Sequence, residues 1–290
     1  MILYRDNRVT VFQSVLFRLT STVVELDDLI LIVDPAYLPN EIQEIQAHVQ
    51  SIWRNKACYL LFTHGDYDHI IGYNAFPGAK TIGSLGLKNH PKKQNELDLI
   101  QDFDVTYYIS RDYEVKFPEI DIVIENDSQT VTIGTTTLTC YRAPGHTEDG
   151  IFTIIDSIGL FLAGDYLSDF ELPYIYQSAI EYEKTIRLAE AIIEKHQIQL
   201  LVPGHGEHTS SGTEMVRRVN MALAYIDKLK QAVQTADEQI INKLERDFSF
   251  FSQTTIESHR QNVEIMKIEQ VHSQGYRDSS PDFSGNKREN

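Results

Sequence analysis

Seven His and Asp side chains of this 290-residue chain lie at the ends of apolar runs in settings typical of metal ligands, and four of them fall within six residues. Residues 64–69 read His-Gly-Asp-Tyr-Asp-His, directly after the apolar run 59–62 and Thr63. That run predicts a buried strand. The cluster then lies at the carboxyl end of a strand, where α/β sheets gather their ligand sites. The sequence must therefore form a sheet that brings distant strand ends to one rim.

The other three side chains share a local context. His146, Asp165 and His205 each follow an apolar run and have a glycine directly before them. Glycine lets the backbone turn sharply and approach another group closely. A single Gly-His or Gly-Asp step is usually only a turn. Three of them in one chain, added to the cluster, indicate a two-metal hydrolytic site.

The spacing within the cluster divides its ligands between two ions. Residues two apart in an extended turn point the same way, so His64 and Asp66 can share one ion. Asp68 and His69, on the next bend, can face a second ion. The carboxylate of Asp165 can bridge two cations. Two ions about 3.5–4 Å apart can hold both the attacking and the leaving oxygen of a substrate.

Composition limits the class of partner. The formal net charge is −16, and binding to a nucleic acid backbone needs clustered Lys and Arg. Nucleic acid is therefore an unlikely partner, and a small-molecule substrate is expected. A local basic pocket stays open as an alternative, with Arg54, Lys56, Lys88, Lys92 and Lys93 as its possible members.

Cysteine usage and the amino terminus predict a cytoplasmic location. Cys58 and Cys140 are the only cysteines, and both lie in apolar, strand-like runs. Buried free thiols fit a reducing compartment. The first residues lack a signal-peptide pattern. No apolar run approaches the roughly 20 residues of a membrane helix, so no membrane contact is expected.

Apolar periodicity predicts the order of elements. Strands are expected within residues 9–34 and 57–63 with four short ones in 129–165, and helices over 40–53, 181–196 and 211–234. Asn40 is the predicted N-cap of the first helix, and residues 81–125 show no clear pattern. We predict three units: a main domain of residues 1–210, helices packed on it over 211–272, and a disordered tail over 273–290.

These residues resemble the metallo-β-lactamase superfamily. Its members carry a His-x-His-x-Asp-His loop, then a His in Gly-His-Thr, an Asp in Gly-Asp and a Gly-His-Gly. The matching motifs run in that order here between residues 10 and 210, and Asp34 matches an early aspartate after a strand. The resemblance implies an α+β fold, a four-layer αβ/βα sandwich with the site at one edge of its two sheets. The C-terminal helices would extend it.

The resemblance also implies a ligand set. Carried over by position, one ion takes His64, Asp66 and His146, the other takes Asp68, His69 and His205, and Asp165 bridges them. The chain departs from the family pattern at Asp66, where a His is usual. Imidazole suits zinc, while carboxylates also suit manganese and iron. Two divalent ions are expected, zinc first with manganese or iron as alternatives, and the first site could be partly empty.

The implied activity is hydrolysis by a metal-bound hydroxide that attacks a carbonyl or phosphoryl centre. Asp68 is expected to orient this nucleophile. Tyr166 and His208 lie beside Asp165 and His205 in the sequence. Both are candidates to polarise the substrate or assist the leaving group.

Three functions stay open. The first is hydrolysis of a small ester or thioester, similar to the glyoxalase II and lactonase branches of the family. The second is a phosphodiesterase or nuclease, because competence-type DNA-uptake proteins carry a similar His-x-Asp-x-Asp-His loop. The third is a non-enzymatic metal-binding sensor. The helical C-terminal region could also serve as a homodimer surface.

Overall fold

The computed structural model describes residues 1–248 and 252–278. Its strands are β1 Ile2–Arg5, β2 Val9–Gln13, β3 Thr20–Glu25, β4 Leu29–Val33, β5 Ala57–Leu61, β6 Lys80–Ser84, β7 Ile122–Ile124, β8 Gln129–Ile133, β9 Thr136–Arg142, β10 Ile151–Ile155, β11 Leu160–Leu162 and β12 Leu200–Val202. Its helices are α1 Pro39–Ile52, α2 Tyr67–Ile70, α3 Leu85–Lys88, α4 Lys93–Thr106, α5 Ala179–Lys195, α6 Gly212–Gln234, α7 Glu238–Phe248 and α8 Gln253–Asp278. The four strands predicted within 129–165 are β8 to β11.

The strands form two sheets. The first has the order β1-β2-β3-β4-β5-β6-β7, and the second has the order β12-β11-β10-β9-β8. Strands β1 to β4 pair antiparallel, and β2 to β4 are the strands predicted within residues 9–34; β4 to β7 pair parallel. In the second sheet only β11 and β12 pair parallel. The parallel strands of both sheets end near the metal-binding loops.

The two sheets pack face to face, with helices outside each. Strand β4 shows why, because it is buried on both faces. Leu29, Leu31 and Val33 point into the core between the sheets. Ile30 and Ile32 point the other way, into a core shared with α1 and α4. A third core joins the outer face of the second sheet to α5, α6, α7 and α8. The predicted four-layer sandwich with C-terminal helices is confirmed.

Helix α5 begins at Ala179, two residues before the predicted start, and two further differences have a bearing on the sequence analysis. Helix α1 has Leu38 as its N-cap rather than Asn40, because Pro39 fits the first helical turn and Glu41 Oε2 accepts the Leu38 N–H at 2.9 Å. Helix α8 continues to Asp278, six residues into the segment predicted as a tail. The rest of that segment, residues 279–290, lies outside the described residues.

Cys58 and Cys140 are both free thiols, half-buried and buried respectively. Burial raises the pKa of the Cys140 thiol to about 11, so it stays protonated at neutral pH. Within the described ranges, none of the helices combines the length and apolar character that a membrane crossing needs.

Candidate metal centre

The loop after β5 supplies four of the seven side chains. Asp66 is the N-cap of α2, a single helical turn that contains Asp68 and His69. The His69 N–H donates to the Asp66 carbonyl at 3.0 Å. This turn directs Asp66 to one side and Asp68 with His69 to the other. His64 precedes the turn, directly after the strand.

The other three side chains arrive on the loops after β9, β11 and β12. Two glycines explain how these loops approach so closely. Gly164, before Asp165, has a φ of 50°, which favours glycine. At Gly204, before His205, a Cβ atom would lie 2.2 Å from Asp165 Oδ1. Both glycines are therefore required for Asp165 to sit at the middle of the centre.

The first group of ligands is His64, Asp66 and His146. Asp66 Oδ2 lies 3.3 Å from His146 Nε2 and 3.6 Å from His64 Nε2. These three donor atoms form one of the compact sets that could hold a single ion.

The second group is Asp68, His69 and His205. Asp68 Oδ2 lies 3.6 Å from His205 Nε2 and 4.0 Å from His69 Nε2. Asp165 lies between the groups: its Oδ2 is 3.3 Å from both His146 Nε2 and His205 Nε2, and its Oδ1 is 3.0 Å from His69 Nε2. The structure thus brings all seven residues together in the division that the resemblance implied.

Each of the four imidazoles in the centre forms a hydrogen bond through Nδ1 to a neighbouring part of the protein. His69 pairs with Asp34 Oδ2 at 3.0 Å, and Asp34 also accepts the Thr63 N–H and hydroxyl. The partners of the other three rings are the Thr63 hydroxyl for His64, the Tyr174 carbonyl for His146 and the Phe17 carbonyl for His205. Such bonds fix the ring orientation and leave Nε2 for a metal ion.

The donor atoms fit divalent ions. The Nε2 atoms of His64, His69 and His146 are buried and find no hydrogen-bond partner within the described residues, and neither does Asp165 Oδ1. Two ligands of one tetrahedral zinc ion lie about 3.4 Å apart when its bonds measure about 2.1 Å. The separations above, 3.0–4.0 Å, are centred on that value. Buried polar atoms without partners are costly, and bound cations would satisfy all of them.

Charges within the centre are strongly coupled. Burial by itself would lower the pKa of His205, but Asp165 and Glu171 outweigh it and raise that pKa to about 10. Burial likewise opposes a raised pKa at His146, which Asp165 and Asp66 produce. The histidines in turn hold the pKa of Asp165 well below its usual value, against the effect of burial. The raised pKa values favour protonated imidazoles when no cation is bound. A bound cation would replace those protons, because only neutral imidazole ligates a metal.

A cavity of about 380 Å³ opens above the centre. Asp66, Asp68, Asp165, His146 and His205 lie at its floor. Its walls come from the β2–β3 loop, Tyr67 of α2, the segment after Asp165 and the start of α8. Five wall residues are aromatic, namely Phe17, Tyr67, Phe170, Tyr174 and Tyr176.

The position of Tyr166 contradicts its predicted role in polarising the substrate or assisting the leaving group. Its side chain is 3% exposed and does not line the cavity. The hydroxyl donates to the carbonyls of Ala143 and Pro144 and accepts the His146 N–H at 2.9 Å. Tyr166 therefore holds the loop that carries His146 instead of touching substrate.

His208 also lies away from the cavity. Its ring packs on Tyr4 of β1, with 4.5 Å between ring centres. Burial lowers its pKa. His208 thus faces the outer edge of the first sheet. It has no access to a substrate at the candidate metal centre.

Glu171 is a wall residue that the sequence did not indicate. Its carboxyl lines the cavity, and burial together with Asp165 and Asp68 raises its pKa to about 7, although His205 opposes this. It follows Asp165 by six residues in a segment without regular structure. A carboxyl group in such a segment carries no pattern that would separate it from a surface acid.

Comparison with known proteins agrees with this centre. The fold and the candidate His and Asp groups are those of a metal-binding hydrolase. The family model described as the metallo-beta-lactamase superfamily matches residues 17–205, and the chain belongs to that superfamily. Its members are hydrolases that generally bind divalent metal ions. A search of curated proteins gives no significant match.

Solved structures share the fold at low identity. A metallo-beta-lactamase from Pontibacter korlensis is 13% identical with a TM-score of 0.55, covering 77% of this chain and 98% of its own. A metallo-beta-lactamase family protein from Thermus thermophilus is 13% identical with a TM-score of 0.61, covering 89% of each chain. A double mutant of the sec-alkyl sulfatase PisA1 is 8% identical with a TM-score of 0.62, covering 98% of this chain and 51% of its own.

Proposed function

We propose that the protein is a hydrolase of a small ester or thioester that uses two divalent cations. The observation that carries the proposal is the cavity of about 380 Å³, which has aromatic walls and five members of the candidate metal centre at its floor. Small-molecule sites are concave and mostly apolar, with a few convergent polar groups. A cavity of this shape suits a compact substrate.

The alternative of a phosphodiesterase or nuclease has less support. A nucleic acid groove needs several cations along its length. The lining of the cavity has a single basic side chain other than histidine, Arg18, and none of the five basic residues considered from the sequence belongs to it. The sensor alternative has less support too, since every ligand position retains a residue that can bind metal.

We propose zinc as the first choice of metal, with manganese or iron as alternatives. Four imidazoles and three carboxylates converge, and imidazole favours zinc while carboxylates broaden the choice. We also propose a cytoplasmic location, which the free thiols support. We also propose that the C-terminal helices can form the surface of a homodimer.

The chain's own residues can perform the remaining chemistry. When bound, two cations would activate a water molecule and polarise the substrate carbonyl. Asp68 lines the cavity and can hold that water by accepting its hydrogen bond. Hydrolysis then adds water across the ester C–O or thioester C–S bond and yields an acid and an alcohol or thiol. Glu171 is placed to give a proton to the leaving oxygen or sulfur.

Metal analysis tests the proposal first. Purified protein should contain about two divalent ions per chain and hydrolyse at least one ester or thioester, and a chelator should abolish both. Hydrolysis of phosphodiesters alone would favour the alternative. A protein that neither holds nor takes up metal would remove the basis for a hydrolase.

Replacing Asp68 tests its role. We expect Asp68→Ala to lower kcat by about 10²-fold or more, because the variant loses a ligand and the group that orients water. The matched control is Asp112→Ala, which removes an exposed aspartate outside the cavity. Unchanged ester hydrolysis in Asp68→Ala, with the metal content retained, would contradict the mechanism.

A further inference from the structure

One arginine stands out in the cavity wall. Arg18 is the single Lys or Arg among the lining residues of the described chain. Its guanidinium lies 4.8 Å above the ring of Phe170. Nη2 donates to Glu207 Oε1 at 2.5 Å, and Nη1 and Nε donate to no other described residue. Part of the guanidinium fork is thus available to an oxyanion, which it can bind through two parallel hydrogen bonds.

The backbone holds this arginine in place. Phe17 and Arg18 both adopt left-handed conformations, with φ of 55° and 50°. Such conformations are strained for residues other than glycine and persist where the surroundings enforce them. Here the Phe17 carbonyl accepts from His205 Nδ1 at 2.9 Å, and the Arg18 carbonyl accepts the Gly206 N–H at 3.0 Å. The loop is therefore tied to a metal-binding residue, which fixes Arg18 relative to the centre.

The rest of the cavity wall is largely aromatic. The aromatic residues Phe17, Tyr67, Phe170, Tyr174 and Tyr176 line the same cavity as Arg18. Aromatic walls favour flat apolar groups, which they contact face-on or edge-on. The cavity thus offers an apolar region above the metal centre and one cationic group at its wall.

We propose that the substrate is an ester or thioester with a flat apolar body and a single carboxylate, and that Arg18 binds this carboxylate. The inference rests on the proposed function and names the substrate class for that site. The aromatic wall holds the body, while the ester bond faces the metal centre.

Three aryl acetates test the proposal: phenyl acetate, 3-acetoxybenzoate and 3-acetoxyphenyl-trimethylammonium, which are neutral, anionic and cationic. Each kcat/KM is divided by the rate constant of that ester with hydroxide, which removes differences in the leaving groups. The wild-type protein should prefer the anionic ester, chiefly through a lower KM. Equal normalised values, or preference for the cationic ester, would overturn the assignment of Arg18 while the proposed hydrolase stands.

Variants separate charge from shape. We expect Arg18→Gln to raise KM for the anionic ester at least about tenfold more than KM for the neutral one, because it removes charge-assisted hydrogen bonds. Arg18→Lys keeps the positive charge but loses the paired N–H donors. Its KM for the anionic ester should therefore lie between those of the wild-type protein and Arg18→Gln. The matched control is Arg8→Gln, which removes an arginine that pairs with Asp27 outside the cavity. An equal rise in KM for all three esters would mean that Arg18 only shapes the wall.

Hydrolysis of none of the esters would count against the proposed function. A direct binding measurement would then still test the assignment of Arg18. Calorimetric titration with 3-hydroxybenzoate should then still show binding to the wild-type protein and at least about tenfold weaker binding to Arg18→Gln. Equal affinity of the two proteins, at matched melting temperatures, would overturn the proposal for Arg18.

Discussion

A carboxyl group in the cavity wall has the pKa of a proton donor at neutral pH. Burial raises the pKa of Glu171 to about 7, with Asp165 and Asp68 adding to the effect. A raised pKa keeps some of these groups protonated near neutral pH, as a general acid requires. Because the pKa is raised, the protonated form is complete at low pH and disappears as the pH rises through 7.

We expect Glu171→Gln to lower kcat by about 10²-fold for esters with poor leaving groups and much less for activated aryl esters. The fall in kcat between pH 6 and 8 seen with poor leaving groups should also disappear. Pre-steady-state and steady-state assays over this range measure both effects. Glu194→Gln, which changes an exposed residue of α5, is the control. The same loss for good and poor leaving groups would rule out proton donation.

At the scale of elements, a buried side chain of α8 supports the segment behind a candidate metal ligand. Asn262 is fully buried. Its Oδ1 accepts the Ile175 N–H at 3.0 Å, and its Nδ2 donates to the Pro173 carbonyl at 2.6 Å. These two contacts flank Tyr174, whose carbonyl accepts from His146 Nδ1 at 2.7 Å. Helix α8 therefore helps to orient a candidate metal ligand that lies more than one hundred residues earlier.

We expect Asn262→Ala to weaken binding at the ion site that includes His146 by about 10–100-fold, the usual effect of losing support behind a ligand. The second site, with Asp68, His69 and His205, should change little. Cobalt titration of the metal-free protein, followed by visible absorption against a competing chelator, distinguishes the two sites. Asn242→Ala on the exposed face of α7 is the control. A lower melting temperature with both affinities intact would limit Asn262 to a structural role.

At the scale of the whole molecule, the C-terminal helices share a core with the second sheet. Met215, Val219, Ile226 and Leu229 of α6 are buried together with Phe161 of β11. Each of these side chains contributes roughly 1.5–3 kcal/mol by burial. Their sum is comparable with the roughly 5–15 kcal/mol that stabilises a typical domain. The helices beyond residue 210 thus complete the core on the outer face of the second sheet, and the start of α8 adds Thr254 to the wall of the cavity.

A chain that ends at residue 210 should therefore fail to fold cooperatively. Circular dichroism during heating should show no sharp transition, whereas a chain ending at residue 278 should melt as the full chain does. A cooperative transition in the shorter chain, with bound metal, would show that residues 1–210 fold by themselves as a domain.

The seven candidate metal-binding positions could be predicted from the sequence because their information is local. A His or Asp that directly follows a strand and a glycine lies at the rim of a sheet. Strand order then needs only the usual rules of connection. Asp34 could be found in the same way, since it follows the apolar strand β4.

The roles of Tyr166, His208, Glu171 and Arg18 depended on tertiary structure. Tyr166 and Glu171 lie near Asp165 in sequence, yet only Glu171 lines the cavity, because the Tyr166 hydroxyl turns back to the loop of His146. His208 follows a ligand closely but packs on Tyr4. Arg18 reaches the cavity through a strained turn held by His205 and Gly206. The sequence motifs and the family resemblance that they carry predicted the sandwich and its candidate metal ligands, whereas packing between distant segments decided which side chains line the cavity.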